Sequence, residues 1–270
     1  MKKILFFALG LSAIFNSCIW KNDYNYCHSA AHDMYYSWEY NTSSIMNNYV
    51  VKAFMFNVWW EGNDTVRSLV EEHYFGGYKN VRQAGENTYE LCANPNLPSD
   101  WYYRFETNGT SLNAVGATWT VYANAIYKNE EDSYYYSSVV LSTLLTKCKK
   151  ITITCVGEKK WSIVCDASDS EHNDLQWSMQ ITNQQVPFDI KQASMILTGN
   201  GSYELPEISE TGDTTYTYLF AEIEEPLECS KIFTPQYGKV KLWAERNGER
   251  SKVMVWADYQ QGDCNVTESK

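Results

Sequence analysis

Three short stretches gather carboxylates: Glu71-Glu72, Glu130-Glu131-Asp132, and Glu222, Glu224 and Glu225 in AEIEEP. Two carboxylates held about 5 to 9.5 Å apart across a cleft can cleave a glycosidic bond. On a strand, Glu222 and Glu224 share one face at roughly 7 Å, which permits that chemistry. Solvated strand residues give the same pattern far more often. DASDSEHND (166–174) offers Asp166, Asp169, Glu171 and Asp174, hard oxygens of the kind Ca²⁺ takes. It has neither the spacing nor the central Gly of an EF-hand loop, and it reads as a solvated loop. His28 and His32 in HSAAH fall on one face of a helix at a zinc-binding spacing. Ser29 stands where the metalloprotease motif places Glu, and no third ligand lies near. No G-x-S-x-G elbow, P-loop or G-x-G-x-x-G occurs. The reading is a non-enzymatic protein, with no catalytic residue, metal site or cofactor expected.

Rings are the better lead. The chain carries 21 Tyr, 10 Trp and 10 Phe, enough to supply both core and binding surface. Trp101-Tyr102-Tyr103 and Tyr134-Tyr135-Tyr136 each place three rings in a row. Neighbours on a strand alternate faces, so not all three can enter one core. Trp243 and Trp256 fall on the lysine-bearing face of a predicted hairpin. These two, with Trp101, Tyr102 and Tyr103, are the candidate ligand-binding residues, for a glycan or a protein.

The formal net charge of −11 at pH 7 repels phosphate backbones and argues against a nucleic-acid partner. The chain opens MKKILFFALGLSAIFNSC: two lysines, an apolar run too short to span a bilayer, then Ser17-Cys18. Phe15-Asn16-Ser17-Cys18 resembles a bacterial lipoprotein signal. It departs from the family at Phe15, where Leu, Val or Ile is usual, and at Asn16, where a small residue is usual. The resemblance implies cleavage after residue 17 and acylation of Cys18, which becomes a membrane anchor. Losing Lys2 and Lys3 takes the charge from −11 to −13. An outer-membrane lipoprotein follows, facing the cell surface or the periplasm. Eight cysteines occur, at 18, 27, 92, 148, 155, 165, 229 and 264, without a CxxC pair.

The elements that position these residues are of two kinds. Cys27, Ala31, Met34, Trp38, Ile45, Tyr49, Ala53, Phe56 and Trp60 form a helical stripe. Its gap near Asn41-Thr42 predicts two helices or one kinked helix. From Val66 the period becomes two, and strands recur every 8–12 residues. ITITCVGEKKWSIVC reads as a hairpin. A turn at Glu158-Lys159 sets Cys155 against Ser162 and Cys165 against Thr152, on opposite faces. KVKLWAERNGERSKVMVW reads as a hairpin about Asn247-Gly248, with Leu242 facing Val253 and Val240 facing Val255. GENTYEL (85–91) and GNGSYEL (199–205) echo one another.

The predicted fold is mainly β with an N-terminal α-helical segment and antiparallel, sandwich-like sheets. The expected division is a signal over 1–17, a tether and helix or helix pair over 18–64, β units over 65–146 and 147–264, and a polar tail over 265–270. ILTGNGSYEL, YLFAEIEEPLEC and YGKVKLWAERNGERSKVMVWAD resemble the closing strands of uncharacterised Bacteroidetes lipoproteins. That resemblance implies an exported β-rich lipoprotein and no activity. A binding or adhesion role is the first expectation. A fimbria-like subunit is the alternative, disfavoured by the polar tail, and a paired-carboxylate hydrolase is the third.

Overall fold

The computed structural model describes residues 27–75, 80–92, 94, 96, 101–123, 150–165, 174–184, 190–208, 214–246 and 249–269. Cys18, Cys148, Tyr134 to Tyr136, the carboxylates at 130–132, residues 166–173 and the Asn247-Gly248 turn lie outside them. So do the side chains of residues 27–33, including His28 and His32.

The stripe folds as α1 (Cys27–Ile45), one π turn (Met46–Val50) and α2 (Val51–Glu61). The gap at Asn41-Thr42 does not break α1. Both residues are buried: Asn41 Nδ2 donates to the Ser37 carbonyl (2.8 Å) and the Thr42 and Tyr203 hydroxyls lie 2.8 Å apart, while Asn41 Oδ1 has no hydrogen-bond partner among the described residues. A third helix, α3 (Asp64–Val70), and a second π turn (Glu71–Phe75) follow where period-two strands were expected from Val66. The Asn63 side chain caps α3 by accepting from the Val66 amide (3.1 Å), and Asp64 stands in its first turn.

Among the described residues twelve strands then follow: β1 (Asn80–Gly85), β2 (Thr88–Cys92), β3 (Trp101–Thr107), β4 (Thr118–Ala123), β5 (Lys150–Gly157) and β6 (Lys160–Cys165), then β7 (Asp174–Gln184), β8 (Ala193–Ile208), β9 (Thr214–Cys229), β10 (Pro235–Arg246), β11 (Glu249–Gln260) and β12 (Asp263–Glu268). Each pairs antiparallel with the next, so they form one sheet in chain order, not closed into a barrel. The sheet runs unbroken from β4 to β5, with Trp119 opposite Ile153. The fold is thus mainly β with an N-terminal helical segment, and its strands share a single sheet.

The helix lies in the concavity of that sheet. Ala53 through Asn57 are all buried, and five consecutive residues cannot share one stripe. Phe56 stacks on Phe105 of β3 (4.3 Å, 5°), while Phe54 meets Trp161 of β6 edge-on (4.9 Å). Trp38 packs on Phe233 and on Tyr259 of β11. Trp60 is half-buried, its indole N–H donating to the Tyr89 hydroxyl (3.2 Å). Bulges bend the sheet round this helix. At Gly199 (φ +120°) an added Cβ would sit 2.0 Å from the Gln176 carbonyl oxygen, and at Gly238 (φ +116°) 2.4 Å from that of Pro226. Only glycine fits either bend.

Two hairpin registers differ from expectation, each because of a bulge. In β5–β6 a shift between Cys155 and Gly157 sets Cys155 opposite Trp161. Cys155 and Cys165 therefore both face the core rather than opposite faces. They stay apart because each sits near a different end of the hairpin. Cys92, Cys155, Cys165, Cys229 and Cys264 are all free thiols. In β10–β11, Arg246 faces Glu249 as expected, but a bulge between Trp243 and Glu245 then moves the pairing by two. Leu242 faces Val255 and Val240 faces Ala257. The expected core face survives, with Val240, Leu242, Ala244, Val255 and Ala257 fully buried.

The echo between residues 85–91 and 199–205 has no structural counterpart. The first spans the β1–β2 turn, and the second lies inside β8.

Candidate functional site

The outer face of β9–β12 carries the candidate site. Trp243 belongs to it in sequence but is occupied. Phe220 of β9 stacks on one side of its ring (5.4 Å, 5°), and the Arg250 guanidinium of β11 sits 4.3 Å from the ring centre on the other. The cation is Arg250 and not a lysine, because the bulge puts Met254 directly opposite Trp243.

Trp256 is different. It stands half-buried between Lys241 of β10 and Thr267 of β12, without a ring or cation partner among the described residues. Moving two residues along β10, β11 and β12, and three along β9 because of a bulge, reaches Glu225, Lys239, Asp258 and Asn265 in one cross-strand row. Two residues further on β10, β11 and β12, and again three on β9, come Glu228, Tyr237, Gln260 and Asp263. Tyr237 is 47% exposed. The result is a strip with a ring at each end, about 13 Å along the strands, and carboxylates and amides between.

The far half of this strip is an open depression bordered by Glu225, Tyr237, Asp258, Gln260, Asp263 and Asn265; Tyr259 and Cys264, paired between them on β11 and β12, alternate to the inward face of the sheet. Three carboxylates give it negative character, tempered by Lys239 in register between Glu225 and Asp258. The inward groups beneath it are chemically quiet. The Tyr259 hydroxyl donates to Tyr35 Oη (3.3 Å), which donates to Glu39 Oε1 (3.1 Å). Burial pushes the Tyr35, Tyr259 and Cys264 pKa values up, so these inward groups are neutral hydroxyls and a thiol at neutral pH. The depression above them can accept and donate hydrogen bonds to many hydroxyls and offer ring faces.

The other sequence candidates are not assembled with it. Tyr102 and Tyr103 are 5% and 0% exposed, so neither offers a ring to solvent. They lie on opposite faces of β3, and both faces are covered there. The half-buried Trp101 ring carries the Arg104 guanidinium 4.4 Å from its centre. Arg104 Nε and Nη2 in turn both donate to one oxygen of buried Glu90 (2.9 and 2.7 Å), and Arg82 donates to the other. This run of β3 is built into the scaffold and does not form an open platform. Among the paired acids, Glu224 lies 4.0 and 3.8 Å from the ammoniums of Lys239 and Lys241. No group of three or more His, Cys, Asp and Glu that could hold a metal ion occurs among the described residues. No helix of the described residues is long and apolar enough to cross a membrane. The depression at Tyr237, Asp258 and Asp263 was missed in the sequence. Its signal was the alternation of Trp256, Asp258 and Gln260 on β11, legible once the outer face is known.

Comparison with known proteins finds no matching family model, no matching curated protein and no matching solved structure.

Proposed function

We propose that the protein is an exported lipoprotein, anchored by acylated Cys18 in the outer membrane, that binds a glycan on the outer face of β10–β12. One observation carries the binding half of this reading: the strip that runs from the open Trp256 ring, over Asp258 and Asn265, to the exposed Tyr237. Sugars present apolar ring faces beside many hydroxyls. Aromatic rings flanked by carboxylates and amides complement both. The negative character of the depression favours neutral glycans over acidic ones. The anchor rests on the charge-free run that ends at Ser17-Cys18, and several acyl chains hold a protein firmly on a bilayer.

The test is a glycan array followed by titration of the hits. Trp256→Ala and Asp258→Ala should each weaken binding at least tenfold, and Trp243→Ala should weaken it far less. Hits that bind both strip variants as tightly as the native protein would exclude this face. For the anchor, Cys18→Ala should release the protein from membranes, and mass spectrometry should find an acylated N-terminal cysteine in the native host.

A further inference from the structure

The sheet is not closed, so β12 is one of its two edges among the described residues. The phase of its backbone is fixed at both ends. Gln260 faces Asp263 across a two-residue turn at Gln261 (φ +57°) and Gly262 (φ +90°), and beyond the strand the Ser269 amide donates to the Met254 carbonyl (2.8 Å). In an antiparallel ladder only alternate residues turn N–H and C=O toward the neighbouring strand. Asp263, Asn265 and Thr267 therefore bond β11, and Cys264, Val266 and Glu268 aim their backbone groups away from the sheet. Those outward groups meet no partner among the described residues. Edges are commonly blunted by a bulge, a proline or a lysine. The opposite edge, β1, has a bulge between Gln83 and Gly85. β12 has none of the three, and it pairs with β11 without a shift. Its acids, Asp263 and Glu268, oppose any register that sets two carboxylates face to face.

We propose that β12 pairs antiparallel with β12 of a second copy, about a two-fold axis at Val266. Cys264, Val266 and Glu268 each offer one outward N–H and one outward C=O. Centred on Val266, the same three residues of the second copy satisfy all of them. Centring the pair on Asn265 sets Glu268 opposite Gly262, whose amide already donates to the Gln236 carbonyl (3.1 Å). Centring it on Thr267 leaves Cys264 with no opposite residue in the strand, which ends at Glu268. In the Val266 register the half-buried valine meets its own copy, Cys264 stands opposite Glu268, Asn265 opposite Thr267 and Asp263 opposite Ser269. No carboxylate faces another. Glu268 Oε2, shielded and without a hydrogen-bond partner among the described residues, lies across from a thiol and not from a second acid. This self-complementarity is what selects a second copy as the occupant. On the outer face Thr267, beside Trp256, meets Asn265 of the second copy, which stands beside that copy's Asp258. The two outer strips thus become one surface, and the pairing does not depend on what that surface binds.

The test is sedimentation of the purified full chain at concentrations up to about 100 μM, where a monomer–dimer equilibrium is expected. Val266→Pro removes an outward N–H that the β11 ladder does not use, so it should keep a cooperative thermal melt and weaken the dimer at least about tenfold. Val266→Cys should cross-link to its own copy on mild oxidation, because hydrogen-bonded partners lie about 5.5 Å apart at Cα, within disulfide reach. Val156→Cys, exposed on β5, should not. A native chain that stays monomeric at the highest concentration overturns the proposal. So does a dimer that folded Val266→Pro leaves intact. Should that variant not fold, the cross-link decides, and absence of the symmetric bond from the peptide map overturns the proposal too.

Discussion

Buried titratable side chains make the stability of this protein depend on alkali in a definite direction. Tyr35 and Tyr259 share a hydrogen bond in the interior, and burial raises both hydroxyls above their ordinary 10.0. Burial pushes the Cys229 thiol from 9.0 to about 12. A raised folded-state value means that the unfolded chain releases its proton first. The stability from these groups is therefore full below pH 9 and is lost progressively between pH 9 and 12 and beyond. Lys52 has the opposite sign. Its lowered value penalises the folded state below about pH 8, and the penalty is relieved between pH 8 and 10.5. In a Lys52→Met background, thermal midpoints measured from pH 8 to 12 should fall steadily above pH 9. Adding Tyr35→Phe and Tyr259→Phe should flatten that fall, and an unchanged slope would show that these hydroxyls ionise freely in the fold. At this scale the sequence showed that Trp243 and Trp256 share the outer face, because alternation along a strand is strict. It did not show that Phe220 and Arg250 occupy one ring and leave the other open. That depends on which residues lie across the strands, and hence on a bulge.

The elements show why registers were harder to read than faces. A bulge leaves the alternation intact on each side and moves the partner across the ladder. The core faces of both hairpins were thus legible, while Leu242 opposite Val255 and Cys155 opposite Trp161 were not. The α3 helix was missed because seven residues carry too little periodicity to outweigh the strand pattern after them. Its signal was the Asn63-Asp64 pair, a cap followed by an acid. The π turn at Met46–Val50 yields a sharper test. A π turn holds one residue more than an α turn, so removing one residue there restores a regular helix with both ends in phase. Deleting half-exposed Asn47 should cost less than about 2 kcal/mol in denaturant unfolding, mainly from lost local contacts. Deleting buried Ala53 should abolish cooperative folding, because every later residue of α2 turns by about 100°. Equal losses at the two sites would mean that the π turn is not the place where the helix absorbs its extra residue.

On the scale of the molecule, the sequence showed a helix and a β-rich body but not how they are combined. Period two says which side chains face inward and leaves open what they face. Here the answer is the helix itself, and the dependence is mutual. Trp119, Tyr103 and Trp161 line the sheet interior at 0–3% exposure, and α2 packs against that lining. The loop before β4 is tied to the same helix, with Asn57 Oδ1 accepting from the Leu112 amide (2.8 Å). Without the helix the concave face would be a large apolar surface in water, since burying each large side chain contributes roughly 1.5–3 kcal/mol. A chain beginning at Gly62 should therefore keep strand signal in the far ultraviolet, lose fixed aromatic signal in the near ultraviolet, and bind ANS. Supplying a peptide of residues 27–61 should restore a cooperative thermal transition. A truncated chain that already melts cooperatively and leaves ANS dark would show that the twelve strands close over their own core. In that case the helix would be a ligand of the sheet and not the centre around which it folds.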